Sequence, residues 1–421
     1  MSKNVEVDRK TFGRIDYIKI TILGFGLNAF WTSLGSIVLP LRLLDFVPES
    51  LKNSYLGYLT FTGLILAMVT QPIVGAFSDR SSFAWGRRRP YILVGIAFAL
   101  FFIPGIGLWG TYATIFITYC LLQISCNTAQ APYQGFIPDL VPEDKRGLAS
   151  GVKTLELLGG IMFVRLVAYF MDRYSTGGEG FWLWGALGVL ATVLLGTMLA
   201  TVLTVKEQPG TGGPRLPILP SLLKSFQVDI KQNRDFIWFL VSRAVMSVPT
   251  LTLETYALYY VMDVIAPDDA AALTADLLIV VGITLMVTAY FAGRWSDKVG
   301  RKPILVSSGI IGALGILSLY LSKTHIYVML SGVLLGVASG AFFSANWALA
   351  TDLLPQGEEA KYMGLTNLAL TAGAALARLI GPLIDFFNAY GHNLGYSVML
   401  LICFVCFVGG ALLLLKIREA K

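Results

Sequence analysis

Uncharged apolar runs of about 20 residues recur along the whole of this 421-residue chain, and a run of that length is what an α-helix needs to cross roughly 30 Å of hydrocarbon. Twelve can be counted, at roughly 18–42, 54–77, 90–109, 112–137, 147–171, 181–203, 236–262, 273–293, 304–321, 325–350, 362–387 and 394–415. Inside a bilayer each segment must satisfy its own backbone N–H and C=O groups, so long continuous apolar runs are helices. A soluble α/β enzyme with a large core is the competing reading of a chain that is 55% hydrophobic, 14% charged and of mean hydropathy +0.69. It would need short strands or amphipathic helices between polar loops, and the runs do not have that form. The fold class expected is an all-α membrane protein with 12 transmembrane helices.

An even number of spans puts both termini on one side. With that side cytoplasmic, the inner segments hold 24 of the 32 Lys and Arg, while the outer loops hold Lys52, Arg173 and Lys323, the bias of the positive-inside rule. The net charge of +6 is then a topology signal, and it calls for no nucleic-acid partner. The basic start (Lys3, Arg9, Lys10, Arg14, Lys19) with no small-residue cleavage site after the first run reads as a retained span. The setting expected is the inner or plasma membrane, multi-pass, with cytoplasmic termini.

The chain is one unit written twice. "GRRRP" ending at Pro90 matches "GRKP" ending at Pro303, "DLVP" (Asp139 to Pro142) matches "DLLP" (Asp352 to Pro355), and "RLVAYFMD" (Arg165 to Asp172) matches "RLIGPLID" (Arg378 to Asp385), all at an offset of 213 residues. Upstream the offset is 218, pairing Ser78 with Ser296 and Asp45 with Asp263. Six spans per repeat make the halves parallel, related by an axis along the membrane normal. The organisation expected is two pseudo-symmetric six-helix bundles, residues 1–204 and 236–421, joined by a Pro/Gly-rich linker at 205–235 that ends in a short amphipathic stretch.

"GAFSDRSSFAWGRRRP" (Gly75 to Pro90) and its counterpart at Asp297 to Pro303 concentrate charge in tight turns after the second span of each half. Two readings compete: membrane anchors that orient the chain, or a cytoplasmic latch that opens in a transport cycle, in which Asp79 with Arg87, Arg88 and Arg89, and Asp297 with Arg301, are gating groups. These turns, in a chain of twelve spans in two halves, resemble the major facilitator superfamily over essentially the whole length. "QPIVGAFSDRSSFAWGRRRPYI" (Gln71 to Ile92) and "NTAQAPYQGFIPDLVPEDKRG" (Asn127 to Gly147) are similar to the sucrose-proton symporters and their bacterial relatives in the glycoside-pentoside-hexuronide cation symporter group. The second stretch departs from the plant pattern, in which an arginine commonly stands near Gln134. The resemblance implies a major facilitator fold, alternating access, and a sugar moved with a cation.

Polar groups inside the spans are the remaining pointers, because charge there is costly. Spans 3, 6, 9 and 12 carry none and are expected to face lipid. Span 4 carries Gln123, Asn127, Gln130 and Gln134 at i, i+4, i+7 and i+11, one helix face of donors and acceptors suited to hydroxyls, although one or two such residues also serve as interhelical glue. The same positions in span 10 are Gly336, Gly340, Phe343 and Trp347, so an aromatic face stands opposite the amides, an arrangement that suits a sugar. Asn28 and Trp31 sit one turn apart in span 1, and Trp31 also reads as packing. Span 7 repeats the spacing with Arg243, Ser247, Thr250 and Glu254; Arg243 is a substrate clamp or ion-pair partner, and Glu254 an outer-gate or hydrated residue. Lys153 and Glu156 share a face of span 5 before Gly159 and Gly160, where a neighbouring helix can approach. Glu156, near the bilayer centre, is the candidate proton carrier with Lys153 or Arg243 as its modulator; a permanent ion pair is the other reading. Arg165 and Arg378, each with an acid seven residues on, are expected to gate the outer ends, pairing across halves with Asp263 or Asp45.

Cys403 and Cys406 form a C-x-x-C at lipid depth, read as two small core residues, and His325 and His392 map near the outer surface. No metal site and no cofactor are expected. No G-x-x-x-x-G-K-[ST], H-E-x-x-H or G-x-S-x-G occurs, and "GIGLWG" (Gly105 to Gly110) has no strand before it. Three functions stay open: a cation-coupled (H⁺ or Na⁺) sugar or glycoside importer, a proton-coupled exporter of drugs or metabolites on the same fold, and a sensor. The first is favoured, for a monomeric, non-enzymatic protein whose partners are a sugar, a cation and the lipid bilayer.

Overall fold

The computed structural model describes residues 13–108, 110–142, 145–177, 180–207, 234–265, 267–322, 324–353 and 359–417. Twelve helical spans run through them: α1 (Arg14–Leu43), α2 (Lys52–Asp79), α3 (Arg89–Leu108), α4 (Tyr112–Gln134), α5 (the consecutive segments Arg146–Lys153, Thr154–Glu156 and Leu157–Ser175), α6 (Phe181–Thr204), α7 (Arg234–Ile265), α8 (Ala270–Val299), α9 (Arg301–Leu321), α10 (His325–Asp352), α11 (Glu359–Arg378 and Gly381–Asn388) and α12 (Leu394–Leu414). Eleven are long and apolar enough to cross a membrane; α4, whose amide stripe lowers its hydropathy, is the one outside that set. Most of the expected linker and its amphipathic stretch lie outside the described residues, as do Lys3, Arg9 and Lys10.

α1 packs on α5 and α6, α2 on α4, and α3 on α4 and α6; the second set repeats the plan, with α7 on α11 and α12, α8 on α10, and α9 on α10 and α12. The main contacts of α3, α6, α9 and α12 stay within their own half, in keeping with the absence of charge in those runs. Contacts between halves come mainly from α5 with α8 and from α2 with α11, with α1 also meeting α7. The space between the halves is therefore bounded by α1, α2, α4 and α5 on one side and α7, α8, α10 and α11 on the other.

The sequence does not show four irregularities. α1 contains a π-helical turn at Leu34–Val38 and α7 another at Val261–Ile265, α5 a single 3₁₀ turn at Thr154–Glu156, and α11 a break after Arg378. At the break the Tyr256 hydroxyl donates to the Arg378 carbonyl (2.5 Å) and accepts from the Gly381 N–H (3.0 Å). One side chain thus replaces the lost helical hydrogen bonds, which a bilayer would otherwise leave unsatisfied.

Close approach is set by small residues. A Cβ on Gly159 would meet the Phe25 carbonyl, and one on Gly160 would stand 2.6 Å from Thr32 Oγ1, so α5 lies directly against α1 as the pair of glycines implied. Gly159→Leu is therefore expected to part α1 from α5 and lower stability by about 1–3 kcal/mol, the range for overpacking. Gly188→Ala, facing open space, is the control. Thermal unfolding of the purified protein in detergent checks this, and an unchanged midpoint for Gly159→Leu would contradict the packing.

Candidate functional site

A cavity of about 230 Å³ opens between α1, α2 and α4 of the first half and α7 and α11 of the second. The α4 stripe supplies Gln123, Asn127 and Gln130 to its wall. Gln71 Nε2 donates to Asn127 Oδ1 (2.7 Å), Asn127 Nδ2 to Gln123 Oε1 (3.0 Å), and Gln123 Nε2 to the Tyr119 hydroxyl (2.8 Å). This chain fixes the amides in place, so hydroxyl ligands meet a preformed surface. Trp31 lines the same chamber and meets Tyr119 edge to face, ring centroids 6.2 Å apart. Gln134, the fourth member of the stripe, is exposed at the helix end and lines no cavity.

A second, mostly apolar cavity of about 260 Å³ adjoins it between α1 and α5 and α7, α8 and α10. Asn28 and Phe343 line this chamber, and within it Thr250 and Ser339 hydroxyls are 3.1 Å apart. Small-molecule pockets run from roughly 300 to 1,000 Å³, so neither chamber is large alone. They share Leu251 and Glu254 and together form a two-part space. Trp347 and Arg243 line neither: the Arg243 guanidinium is buried, donates to Asn346 Oδ1 and lies 5.6 Å from the Trp347 ring centre. The expected opposition of span 10 to the amides is split accordingly, and Arg243 is an interhelical group inside the second half. Gly336 and Gly340 admit α8, since a Cβ on Gly336 would stand 2.7 Å from the Val281 carbonyl.

Glu156 and Lys153 also line neither chamber. Glu156 accepts a hydrogen bond from the Tyr133 hydroxyl, which also reaches the Thr21 carbonyl (3.1 Å), and Lys153 lies over the Tyr133 ring at 5.4 Å. No ion pair within 4 Å joins Lys153 to Glu156 among the described residues. The group is enclosed by α1, α4 and α5, about three turns from the start of α5 and not at mid-span.

The chamber has two charged groups that sequence reasoning set elsewhere. Glu254, about two-thirds of the way along α7 toward its outer end, lines both cavities. Arg378, expected at an outer gate, lines the polar chamber; its Nη1 donates to the Ala374 carbonyl of its own helix (2.9 Å) and its Nε is buried without a partner. The signal that could have found Arg378 is a mismatch in the repeat. Arg165, its counterpart, pairs with Asp276 of α8 (2.9 Å), and at the 218 offset the position matching Asp276 holds Tyr58.

The two ends of the molecule differ. At the end holding the α1/α2 and α7/α8 connections the halves are tied together. Asp172 accepts from the N–H groups of Ala271 and Ala272 (2.9 Å each), and Asp385 accepts from Asn53 Nδ2 (2.9 Å) and the Ser54 N–H (2.6 Å), which are equivalent bonds under the repeat. Lys52 pairs with Asp263 at 2.7 Å, and Asp263 also accepts from the Tyr396 hydroxyl at 2.6 Å. Thus neither Arg165 nor Arg378 pairs with Asp263 or Asp45, as the sequence had suggested; Asp45 holds Arg42 (2.6 Å) and Tyr174 inside its own half.

At the opposite end the charged turns tie helices within each half. Arg88 bonds Asp79 (3.1 Å) and Asp139, Arg87 pairs with Asp139 (2.6 Å), and Arg301 bonds Asp297 and Asp352 (3.3 Å). Both Arg88–Asp139 and Arg301–Asp352 span 51 residues, so the repeat preserves the contact as well as the letters. Arg89 donates to the Val202 carbonyl at the end of α6. Gly86, at φ +123°, leaves room for Glu207, whose carboxylate accepts from the Arg88 N–H at 2.9 Å.

The match of residues 22–417 to the family model of the MFS/sugar transport proteins agrees with this architecture. The chain belongs to that family of the major facilitator superfamily. A D-xylose transporter of Levilactobacillus brevis is 24% identical over 82% of this chain and 81% of its own. A sucrose transport protein of Oryza sativa subsp. japonica is 26% identical over 40% of this chain and 37% of its own. Across these and other curated relatives the chain spans from 24% to 81% of the relative's length. The crystal structure of a D-xylose-proton symporter superposes with a TM-score of 0.68 at 21% identity, covering 97% of this chain and 98% of that one. The protein is thus a multi-pass membrane protein of a family of sugar transporters, and not an enzyme.

The ion pairs at the charged turns generate a pH prediction. Burial raises the affinity of Asp139 for a proton, but hydrogen bonds from Arg88 and Arg87 outweigh it and hold the carboxyl below its ordinary value. A depressed carboxylate stabilises the fold above its unfolded value of about 4, and that contribution is lost as pH falls through the folded value. Asp139→Asn should cost about 1–2 kcal/mol at neutral pH, solvent screening limiting the pair, with a smaller difference from wild type below about pH 4. Unfolding midpoints of both proteins across pH check this; a difference that grows toward acid would contradict it.

Proposed function

We propose that the protein imports a sugar or glycoside together with a cation, most simply a proton, by alternating access of the chamber between its two six-helix bundles. The observation that carries this reading is a chamber lined by three amides, two of them (Gln123 and Asn127) held by hydrogen bonds, a tryptophan edge and a guanidinium. It lies between halves tied together at one end, while at the other end the ion pairs of the charged turns join, among the described residues, helices of the same half. Sugar hydroxyls need paired donors and acceptors, and a site built to supply them discriminates through the groups it would otherwise leave unpaired. With 24 of the 32 Lys and Arg in segments on the untied side, that side is cytoplasmic, both termini included, and the structure corresponds to an inward-facing state.

On this reading Gln123, Asn127, Gln130, Trp31 and Arg378 contact the sugar, while Asn28 and Phe343 flank any apolar part. Asp172, Asp385 and Lys52–Asp263 form the outer latch; Asp79, Arg87 to Arg89, Asp297 and Arg301 stiffen each half at the inner end. The chain acts as a monomer of two bundles, residues 1–204 and 236–421. The apolar chamber favours a second reading, export of lipophilic compounds, and uptake assays separate the two.

The test is uptake of labelled sucrose, maltose, lactose, D-xylose and myo-inositol into proteoliposomes under an imposed pH gradient, with and without Na⁺. Accumulation of at least one sugar, lost when the gradient is collapsed, is expected. Movement of none under either ion gradient would overturn the proposal. A smaller prediction concerns the latch: Asp385→Ala leaves Asn53 and the Ser54 N–H without their acceptor and should raise labelling of a chamber cysteine from outside. Labelling unchanged from the parent would count against the latch.

A further inference from the structure

The setting of Glu254 differs from that of every other carboxylate in the middle or outer part of the spans. Asp172 and Asp385 hold backbone and amide donors of the opposite half, Asp263 holds Lys52 and Tyr396, Asp276 holds Arg165, and Glu156 holds Tyr133. The Glu254 carboxylate has no hydrogen bond or ion pair to any described residue, and it lines both chambers. The ionisable groups lining either chamber, among the described residues, are Glu254, Arg378, Tyr119 and Tyr260. The Tyr119 hydroxyl is held by Gln123 (2.8 Å) and the Tyr260 hydroxyl donates to the Leu319 carbonyl (3.0 Å). The faces of α1, α2, α4, α5, α8 and α10 toward the chambers present no other charge, so Arg378 of α11 is the one ion that Glu254 can answer to.

The backbone around this carboxylate is fixed. Ser36, in the π-helical turn of α1, donates to the Glu254 carbonyl at 3.2 Å, and at the 218 offset Ser36 is the repeat counterpart of Glu254. The two positions meet near the axis relating the halves, where a turn of this kind frequently marks function. Two residues on, Tyr256 clamps the break in α11 directly after Arg378. Glu254 and Arg378 are therefore carried on helices locked to each other, yet no ion pair within 4 Å joins their side chains. The gap between them opens on the amide wall.

A carboxylate facing a water-filled chamber is solvated, but when the chamber closes over it the charge must be paired or neutralised. Arg378 offers the first route and a proton the second. On the symporter reading above, we propose that Glu254 carries the coupling proton and that Arg378 makes its loading depend on sugar. In the loaded chamber the guanidinium donates to sugar hydroxyls and is no longer free for Glu254, so closure requires the carboxylate to be protonated. When the chamber closes empty, Glu254 is deprotonated and comes to pair with Arg378, so the carrier returns without a proton. The balance is one proton taken from hydronium on the side where sugar enters and given to water on the side where it leaves, with no other bond made or broken.

The experiment compares purified full-length wild type, Glu254→Gln and Glu156→Gln in proteoliposomes, using whichever sugar of the panel the wild type accumulates. Glutamine mimics the protonated side chain, so Glu254→Gln should lose accumulation driven by the pH gradient and retain exchange of labelled for unlabelled sugar, while Glu156→Gln keeps gradient-driven accumulation. Sugar affinity of the purified protein should vary with pH in wild type and be flat in Glu254→Gln. Gradient-driven accumulation by Glu254→Gln would overturn the proposal and leave the symporter reading standing; a wild type that moves none of the sugars would overturn both. If Glu254→Gln loses exchange as well, binding decides: a flat pH profile supports the assignment and a wild-type profile overturns it.

Discussion

A carboxylate taken out of water must find donors, and Asp172 and Asp385 find theirs in the opposite half of the molecule. Each sits near the end of a span and bonds the start of the helix across the interface, Ala271 and Ala272 in one case, Asn53 and Ser54 in the other. Because these bonds are twofold-related they pull the two bundles together symmetrically at one end. The chambers lie between the two halves that these bonds join at one end. The ion clusters at the untied end do not oppose this, since Arg88 with Asp79 and Asp139, and Arg301 with Asp297 and Asp352, hold helices within each bundle. Each half is thereby a stiff body, and a stiff body can rock about a central site.

Where the repeat is kept it builds the frame, and where it is broken it builds the site. Asp172 and Asp385, and Arg88 and Arg301, occupy matching positions and do matching work. By contrast, glycines and aromatics stand in α10 at the positions equivalent to the amides of α4, Ser36 stands where the other half has Glu254, and Tyr58 stands where the other half has Asp276. A substrate is not twofold symmetric, so a site on the axis must depart from the symmetry of its scaffold. Arg378 illustrates the consequence: without a carboxylate at position 58 its guanidinium turns to the chamber.

The twelve spans and the uncharged apolar runs within α3, α6, α9 and α12 were legible in the sequence because they follow from hydropathy and charge alone, and the repeat was read from motifs recurring at offsets of 213 and 218. Three of the four α4 amides reached the chamber because helical spacing fixes a face. Arg243 and Glu156 fall outside the chambers for a common reason: a charge at membrane depth signals a partner, and the sequence does not say whether that partner is a neighbouring helix or a ligand. Arg243 donates to Asn346, its Nε staying buried without a partner, and Glu156 accepts from Tyr133, each contact within one half. Glu254 and Arg378 were set at the outer ends because counting residues along a span gives height and not the open space beside it, and the break in α11 held by Tyr256 has no sequence signature.

The central claim is that the amide-lined chamber is the sugar site and that in this state it opens to the cytoplasm. Its most direct test is a cysteine at Gln130, which lines that chamber, in a protein whose four native cysteines, Cys120, Cys126, Cys403 and Cys406, have been replaced. A membrane-impermeant maleimide should label it readily from the cytoplasmic face of inside-out vesicles, and the transported sugar should protect it. Labelling only from the outer face, or labelling that saturating sugar leaves unchanged, would contradict the account.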